Sequence, residues 1–139
     1  MYTTNYQNTF IQIADDCDSK KGIVPPNKKI ITIANIQYEL IINNSYRFTS
    51  DDILFICYLK KNGINFEYVN DKNSITEREN FFLKNKPCLR TSPLPKKYGW
   101  GIHFDANSKI FIYGCESIEY KNLLLSDSVR KIKAMRTKK

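Results

Sequence analysis

Histidine and tryptophan each occur once in the chain, at His103 and Trp100, and only five glycines and five prolines are spread over its 139 residues. A single imidazole excludes any metal centre built on two or more histidines. The four cysteines, Cys17, Cys57, Cys88 and Cys115, include no C-x2-C pair, so thiolate zinc ligation lacks its usual template too. Wide spacing in a chain of this size reads as four free thiols, with no structural metal and no cofactor expected.

Long apolar runs are also missing. The stretch Ile30 to Ile42 is broken by Thr32, Asn35, Gln37 and Glu39, and nothing approaches the roughly 18 consecutive apolar residues of a membrane-spanning helix. No span and no membrane partner are expected. The opening residues, MYTTNYQNTFIQIADD, have neither a basic leader nor an unbroken apolar core, so they do not read as a signal peptide, and a cytoplasmic location is the expectation. With no internal repeat and no Gly/Ser linker, one domain over 1–139 is expected.

Acidic residues are scarce beside basic ones, 14 against 22, for a net charge of +8. Such an excess favours polyanionic or phosphorylated partners. Seventeen of the basic residues are lysine, and Ile and Asn are abundant as well, which is the composition that AAA, ATT and AAT codons produce. Part of the charge is therefore compositional. The five arginines, Arg47, Arg78, Arg90, Arg130 and Arg136, escape that bias.

What is present supports an α+β domain with a small, mainly antiparallel sheet and flanking helices. Thr9–Ala14 reads as a strand, and Pro25-Pro26 as an extended connector. Ile33, Ile36 and Leu40 recur at helical spacing over about 31–42, although Ile36, Tyr38, Leu40 and Ile42 also alternate as a strand would. Thr49-Ser50-Asp51-Asp52 is a helix-start signature, yet Ile53–Leu59 is short, almost wholly apolar and β-prone, which favours a strand there. Ser74–Lys84 reads as a helix with a Ser74–Glu77 capping box. Ser92 before Pro93, with Gly99 beyond, marks a short helix with its cap and stop. Trp100–Phe104 and Ile110–Gly114 form a hairpin. Ser117–Leu125 and Ser128–Met135 read as helices, the second on the spacing of Val129, Ile132 and Met135, with a basic tail from about 130 to 139.

Rare residues crowd into one block. PCLRTSPLPKKYGWGIHFD, at 87–105, holds Trp100, His103, Cys88, three prolines and two glycines beside Arg90, Lys96 and Lys97. A helix start at Ser92 with Arg90 and Lys96 close by assembles the parts of an anion site. Ser92 as a plain cap and Arg90 as a carboxylate's partner is the bland alternative. Lys96, Lys97, Tyr98, Trp100 and the tail lysines would also suit single-stranded nucleic acid, although no RRM, KH or helix-turn-helix pattern accompanies them. Cys88, His103 and Asp105 are candidates for a thiol nucleophile, base and orienting carboxylate, against Cys88 as an inert thiol. Asp15, Asp16 and Asp18 lack the ligand pattern of a calcium loop, and with Asp51 and Asp52 read as solvated or helix-start carboxylates.

TTNYQNTFI at 3–11, GIVPP at 22–26, TIANIQYEL at 32–40, YRFTSDDILF at 46–55, the 87–105 block, CESIEY at 115–120 and KAMRTKK at 133–139 together resemble a family of small uncharacterised bacterial proteins, a domain of unknown function. The resemblance implies a single soluble domain and supplies no catalytic residues. The residues themselves suggest a non-catalytic recognition module for an anionic ligand, a phosphorylated small molecule or nucleic acid. Its expected site is Arg90, Ser92, Lys96, Tyr98, Trp100 and His103. A small enzyme using Cys88 and His103, and a structural or self-associating protein, are the alternatives.

Overall fold

The computed structural model describes residues 2–64 and 72–138, built on a four-stranded sheet of order β3-β2-β1-β4. β1 (Thr9–Gln12) pairs antiparallel with β2 (Trp100–Phe104), and β2 pairs antiparallel with β3 (Ile110–Gly114). β4 (Arg130–Lys133) lies parallel to β1 on the other edge. The helices are α1 (Ile33–Ile42), α2 (Ser50–Lys61), α3 (Lys72–Phe81), α4 (Pro93–Lys97) and α5 (Ile118–Leu125). The expected α+β class holds, with a mixed sheet in which two of the three pairings are antiparallel.

Strand side chains alternate between faces, so the register sorts the sheet. Ile11, Ile102 and Phe104 with Ile110 and Ile112 enter a core shared with Ile36, Leu40 and Ile41 of α1, Ile53 and Ile56 of α2, and Leu94 of α4. Phe10, His103, Phe111 and Tyr113 occupy the other face. There α5 lays the Tyr120 ring edge-on against Phe10, 4.8 Å between centroids, and the Tyr120 hydroxyl accepts the Ile13 N–H.

Three expectations from the sequence change. Ile53–Leu59 is helical, not a strand: the Thr49 hydroxyl accepts the Asp52 N–H while the Asp52 carboxylate accepts the Thr49 N–H, and lysines close the last turn. The helix is buried on two sides, with Ile53 and Ile56 in the main core and Phe55 and Leu59 against Phe82. Apolar residues all round a helix erase the amphipathic period and imitate a strand. Ser128–Met135 contains β4 instead of a helix, because the free edge of β1 takes Arg130–Lys133 as a partner. Arg130, Lys131 and Lys133, three basic residues in a four-residue strand, suit such an edge. The third helix is already under way at Lys72, two residues ahead of the expected cap; the Ser74 side chain lies outside the described residues.

The remaining punctuation is as read. Ser92 caps α4 by accepting the Leu94 N–H, Pro93 stands at the first helical position, and Gly99 follows at φ +77°. The carboxylate of Asp51, in the first turn of α2, accepts the Thr3 hydroxyl at 2.6 Å and the Thr4 N–H and hydroxyl at 2.7 Å each. Asn5 accepts the Asp51 N–H in return, so α2 fixes the N-terminal arm.

Two glycines mark close approaches that test this packing. A Cβ on Gly101 would stand 2.4 Å from Phe10 Cζ and 2.6 Å from Tyr120 Cε2; one on Gly99 would stand 2.2 Å from the Lys21 carbonyl oxygen, at a φ that L residues avoid. Gly101→Ala should therefore cost about 1–3 kcal/mol of stability by overpacking, and Gly99→Ala at least as much, in urea denaturation followed by circular dichroism. An unchanged midpoint for either variant contradicts the packing described.

Candidate functional site

The 87–105 block disperses its rare residues instead of converging them. Arg90 belongs to a turn of 3-10 helix (Leu89–Thr91) and donates Nε–H to the Lys133 carbonyl at 2.7 Å, while its own carbonyl accepts the Met135 N–H. It therefore fastens the chain beyond β4. Ser92 is 3% exposed and donates its hydroxyl to Gln37 Oε1. Trp100 donates Nε1–H to the Ile23 carbonyl and lies 5.5 Å from Tyr38, its ring covering Gly22. His103, three residues on, faces the opposite side of the sheet. The expected grouping of Arg90, Trp100 and His103 is thus divided by strand alternation.

The candidate catalytic trio is divided in the same way. Cys88 Sγ accepts the Tyr6 hydroxyl at 3.4 Å, and Tyr6 packs edge-on against Phe104, on the helix side of the sheet. His103 instead meets Tyr46 through Nδ1 at 2.8 Å. Asp105 spends one carboxylate oxygen on the Asn107 and Lys109 N–H groups of the hairpin turn. Cys88 and His103 share no contact.

The acidic turn has a structural use. Lys133 donates to Asp15 at 2.8 Å, and Asp16 accepts the Thr137 and Lys138 N–H groups, which holds its carboxyl below the usual range. All four cysteines are free thiols. Burial pushes the Cys57 thiol up to about 12, so it stays protonated near neutrality. Among the described residues no three metal-ligating side chains cluster, and no helix is long and apolar enough to cross a membrane.

Two concavities do converge, on the helix side. The first, of about 490 Å³, lies between α1, α2 and the 86–93 segment. Its walls are mainly apolar: Ile33, Leu54, Tyr58, Phe81, Leu89 and Pro93, with Gln37, Cys57, Cys88 and Ser92 among them. Ser92 donates to Gln37, so these two neutral polar groups satisfy each other within the wall. Lys86 lies at the same cavity with its ammonium 4.3 Å from the Phe81 ring centroid.

The second, of about 640 Å³, is lined by Lys28, Lys29, Lys61 and Lys97 with Ile30, Ile31, Ala34 and Tyr98, and by no carboxylate. Ile33, Lys61 and Pro93 line both, so an apolar cavity adjoins a cationic cleft across one shared wall. Lys61 also donates to the Ile31 carbonyl at 3.2 Å, which ties α2 to the strap that carries Lys28 and Lys29.

Of the expected site residues, Ser92 lines the cavity and Tyr98 the cleft. Arg90, Lys96, Trp100 and His103 line neither. Lys97, named in the sequence beside Lys96, also lines the cleft, whereas Lys28, Lys29 and Lys61 were not among the expected residues. Lys28 and Lys29 had a signal in the sequence, since no residue from Ser19 to Tyr38 is acidic although four are lysine.

On the far sheet face Tyr46, His103 and Tyr113 form a polar chain. The Tyr46 hydroxyl bonds both His103 Nδ1 and the Tyr113 hydroxyl at 2.8 Å. Tyr46 adopts φ +54°, a strained setting for an aromatic residue, and burial raises its hydroxyl pKa. Burial lowers that of His103, so the ring is neutral at pH 7.

A model of a family of unknown function (DUF6157) matches residues 1–139, and the chain belongs to that family. No curated protein and no solved structure matches it.

The buried imidazole has a thermodynamic consequence. Because its folded pKa lies below the unfolded value of about 6.5, the unfolded chain binds the extra proton first as pH falls. Stability should be full above about pH 6.5 and decline as pH drops through the folded pKa. A proton NMR titration should place the His103 midpoint below about 6.5, and His103→Gln should flatten this part of the stability profile. A midpoint above that value contradicts the burial.

Proposed function

We propose that this DUF6157 protein is a non-catalytic binding module for a small amphipathic anion, a molecule with an apolar body and a phosphate or carboxylate head. The apolar body occupies the cavity between α1, α2 and the 86–93 segment. The head sits among Lys28, Lys29, Lys61 and Lys97.

One observation carries the reading: the two concavities share Ile33, Lys61 and Pro93, so apolar walls and uncompensated cations meet at a single boundary. A cavity of about 490 Å³ is within the usual range for small-molecule sites. Apolar walls supply the affinity, since each methylene buried is worth about 0.8 kcal/mol. Lysines without nearby carboxylates supply the sign of the charge, and screening makes their share salt-dependent. Of the two thiols in the lining, burial keeps Cys57 protonated, and Cys88 meets Tyr6 while the one imidazole is on the other sheet face.

Calorimetric titration with alkyl phosphates of increasing chain length tests the proposal. Affinity should rise roughly fourfold per methylene until the cavity is full, while inorganic phosphate and the matching alcohol bind far more weakly. Leu54→Trp, which fills the cavity, should lower decyl phosphate affinity at least about tenfold, as a loss of several buried methylenes would. Lys28→Ala with Lys29→Ala should weaken binding at low salt and reduce its salt dependence. Affinity that is indifferent to chain length, or unaffected by Leu54→Trp, sinks the proposal.

A further inference from the structure

The rim of the paired concavities is itself amphipathic. Ile30, Ile31 and Ile33 line the cationic cleft, yet they remain 76%, 46% and 46% exposed. Val24 and Ile23, earlier on the same strap, are 59% and 40% exposed. Scattered exposed aliphatics need no explanation, but five within residues 23–33 form a concentration that soluble surfaces rarely keep.

These side chains stay outside because the strap's backbone is fastened from within. Trp100 Nε1 donates to the Ile23 carbonyl, the Ile23 N–H donates to the Tyr98 carbonyl, and Asn35 Nδ2 donates to the carbonyls of Pro25 and Pro26. Lys61 holds the Ile31 carbonyl. The strap's own charge has one sign, Lys20, Lys21, Lys28 and Lys29 with no acid from Ser19 to Tyr38, and Lys61 and Lys97 stand across the cleft; one carboxylate, Glu116, accepts the Gly22 N–H beside Lys21.

We infer that the strap over residues 20–33 docks on an anionic lipid bilayer, its aliphatic side chains entering the interface and its lysines meeting the lipid phosphates. Charge complementarity selects this occupant. A second copy docked face to face on the cleft would bring lysines against lysines, because the lining holds four of them and no carboxylate. Single-stranded nucleic acid would want ring faces for stacking, and the exposed side chains here are aliphatic. Aliphatic chains flanked by lysines suit the headgroup boundary. Continuity with the cavity deepens the function proposed above, and on that reading the ligand enters from the membrane as an anionic lipid or its breakdown product. Hydropathy led to the expectation of no membrane partner. That expectation addressed spans, which need about 20 apolar residues, whereas peripheral docking needs only a few beside basic charge.

Co-sedimentation of the full chain with vesicles tests the inference. The protein should pellet with phosphatidylcholine vesicles containing about a third phosphatidylglycerol and remain in solution with pure phosphatidylcholine. Lys20→Ala with Lys21→Ala should lower the partition coefficient roughly 25-fold, at about fivefold per lysine. Val24→Asp, at an exposed position that lines neither concavity, should abolish pelleting and leave decyl phosphate binding intact. Lys121→Ala with Lys138→Ala, outside the strap, should change little.

Failure to pellet with anionic vesicles, or loss on changing Lys121 and Lys138 but not the strap, overturns the docking inference. Binding a single-stranded oligonucleotide in place of vesicles at the same salt does so too. The two readings separate cleanly. Decyl phosphate binding without vesicle binding leaves the ligand site standing and removes the docking surface, whereas vesicle binding unaffected by Val24→Asp also counts against the strap.

Discussion

Strand β2 is hydrogen-bonded along both edges, to β1 and to β3, and its side-chain alternation decides where the rare residues of the 87–105 block go. Trp100, Ile102 and Phe104 must face the helices, and Gly101 and His103 must face away. A one-residue slip would exchange the two sets, turning buried Ile102 and Phe104 outward. Gly101 helps to pin the register, because only a residue without Cβ lets Phe10 and Tyr120 close over that position. The short helix before the strand, the strap over Trp100 and the tail beyond β4 are all positioned from this line.

The strap is the element through which the fold builds the cationic cleft. Its backbone polar groups are spent on Tyr98, Trp100, Asn35, Lys61 and Glu116, and Lys28, Lys29 and Ile30 line the cleft beside the apolar cavity. Trp100 is therefore a structural residue: its ring covers Gly22 and its N–H holds the strap. Several motifs that resemble the family pair off in the same way. Thr3, Thr4 and Asn5 meet Ser50 and Asp51, Asn35 meets Pro25 and Pro26, and Gln37 meets Ser92. Each pair joins one motif to another, so these residues are accounted for by folding, and the lysines and apolar walls are what remains for the proposed ligand.

Where the sequence misled, the cause was burial or pairing that no local window contains. α2 carries apolar residues on both sides because Phe82 backs one side and the sheet core the other, and the loss of period outweighed a capping box that was visible at Thr49. Val129, Ile132 and Met135 stand at helical spacing across β4 and its flanks, but an available strand edge at β1 won over that spacing. By contrast the Ser92–Pro93 start and the hairpin at Asp105–Lys109 were readable, since both depend on contacts within a few residues.

Local chemistry in the sequence determined the caps, the turns, the hairpin and α5, together with the scarcity of acid that marks the strap. It also determined that among the described residues no helix is long and apolar enough to cross a membrane, and that the chain has a single imidazole. Convergence was decided only by the tertiary structure. Arg90, Trp100 and His103 are neighbours in sequence and part company in space because strand alternation and the demands of the tail separate them. Lys28, Lys61 and Lys97 are far apart in sequence and share a cleft because α2, the strap and α4 pack around Ile33 and Pro93. Spacing along the chain records what a residue does for its own turn or strand; which side chains meet depends on how separate elements bury their apolar faces against one another.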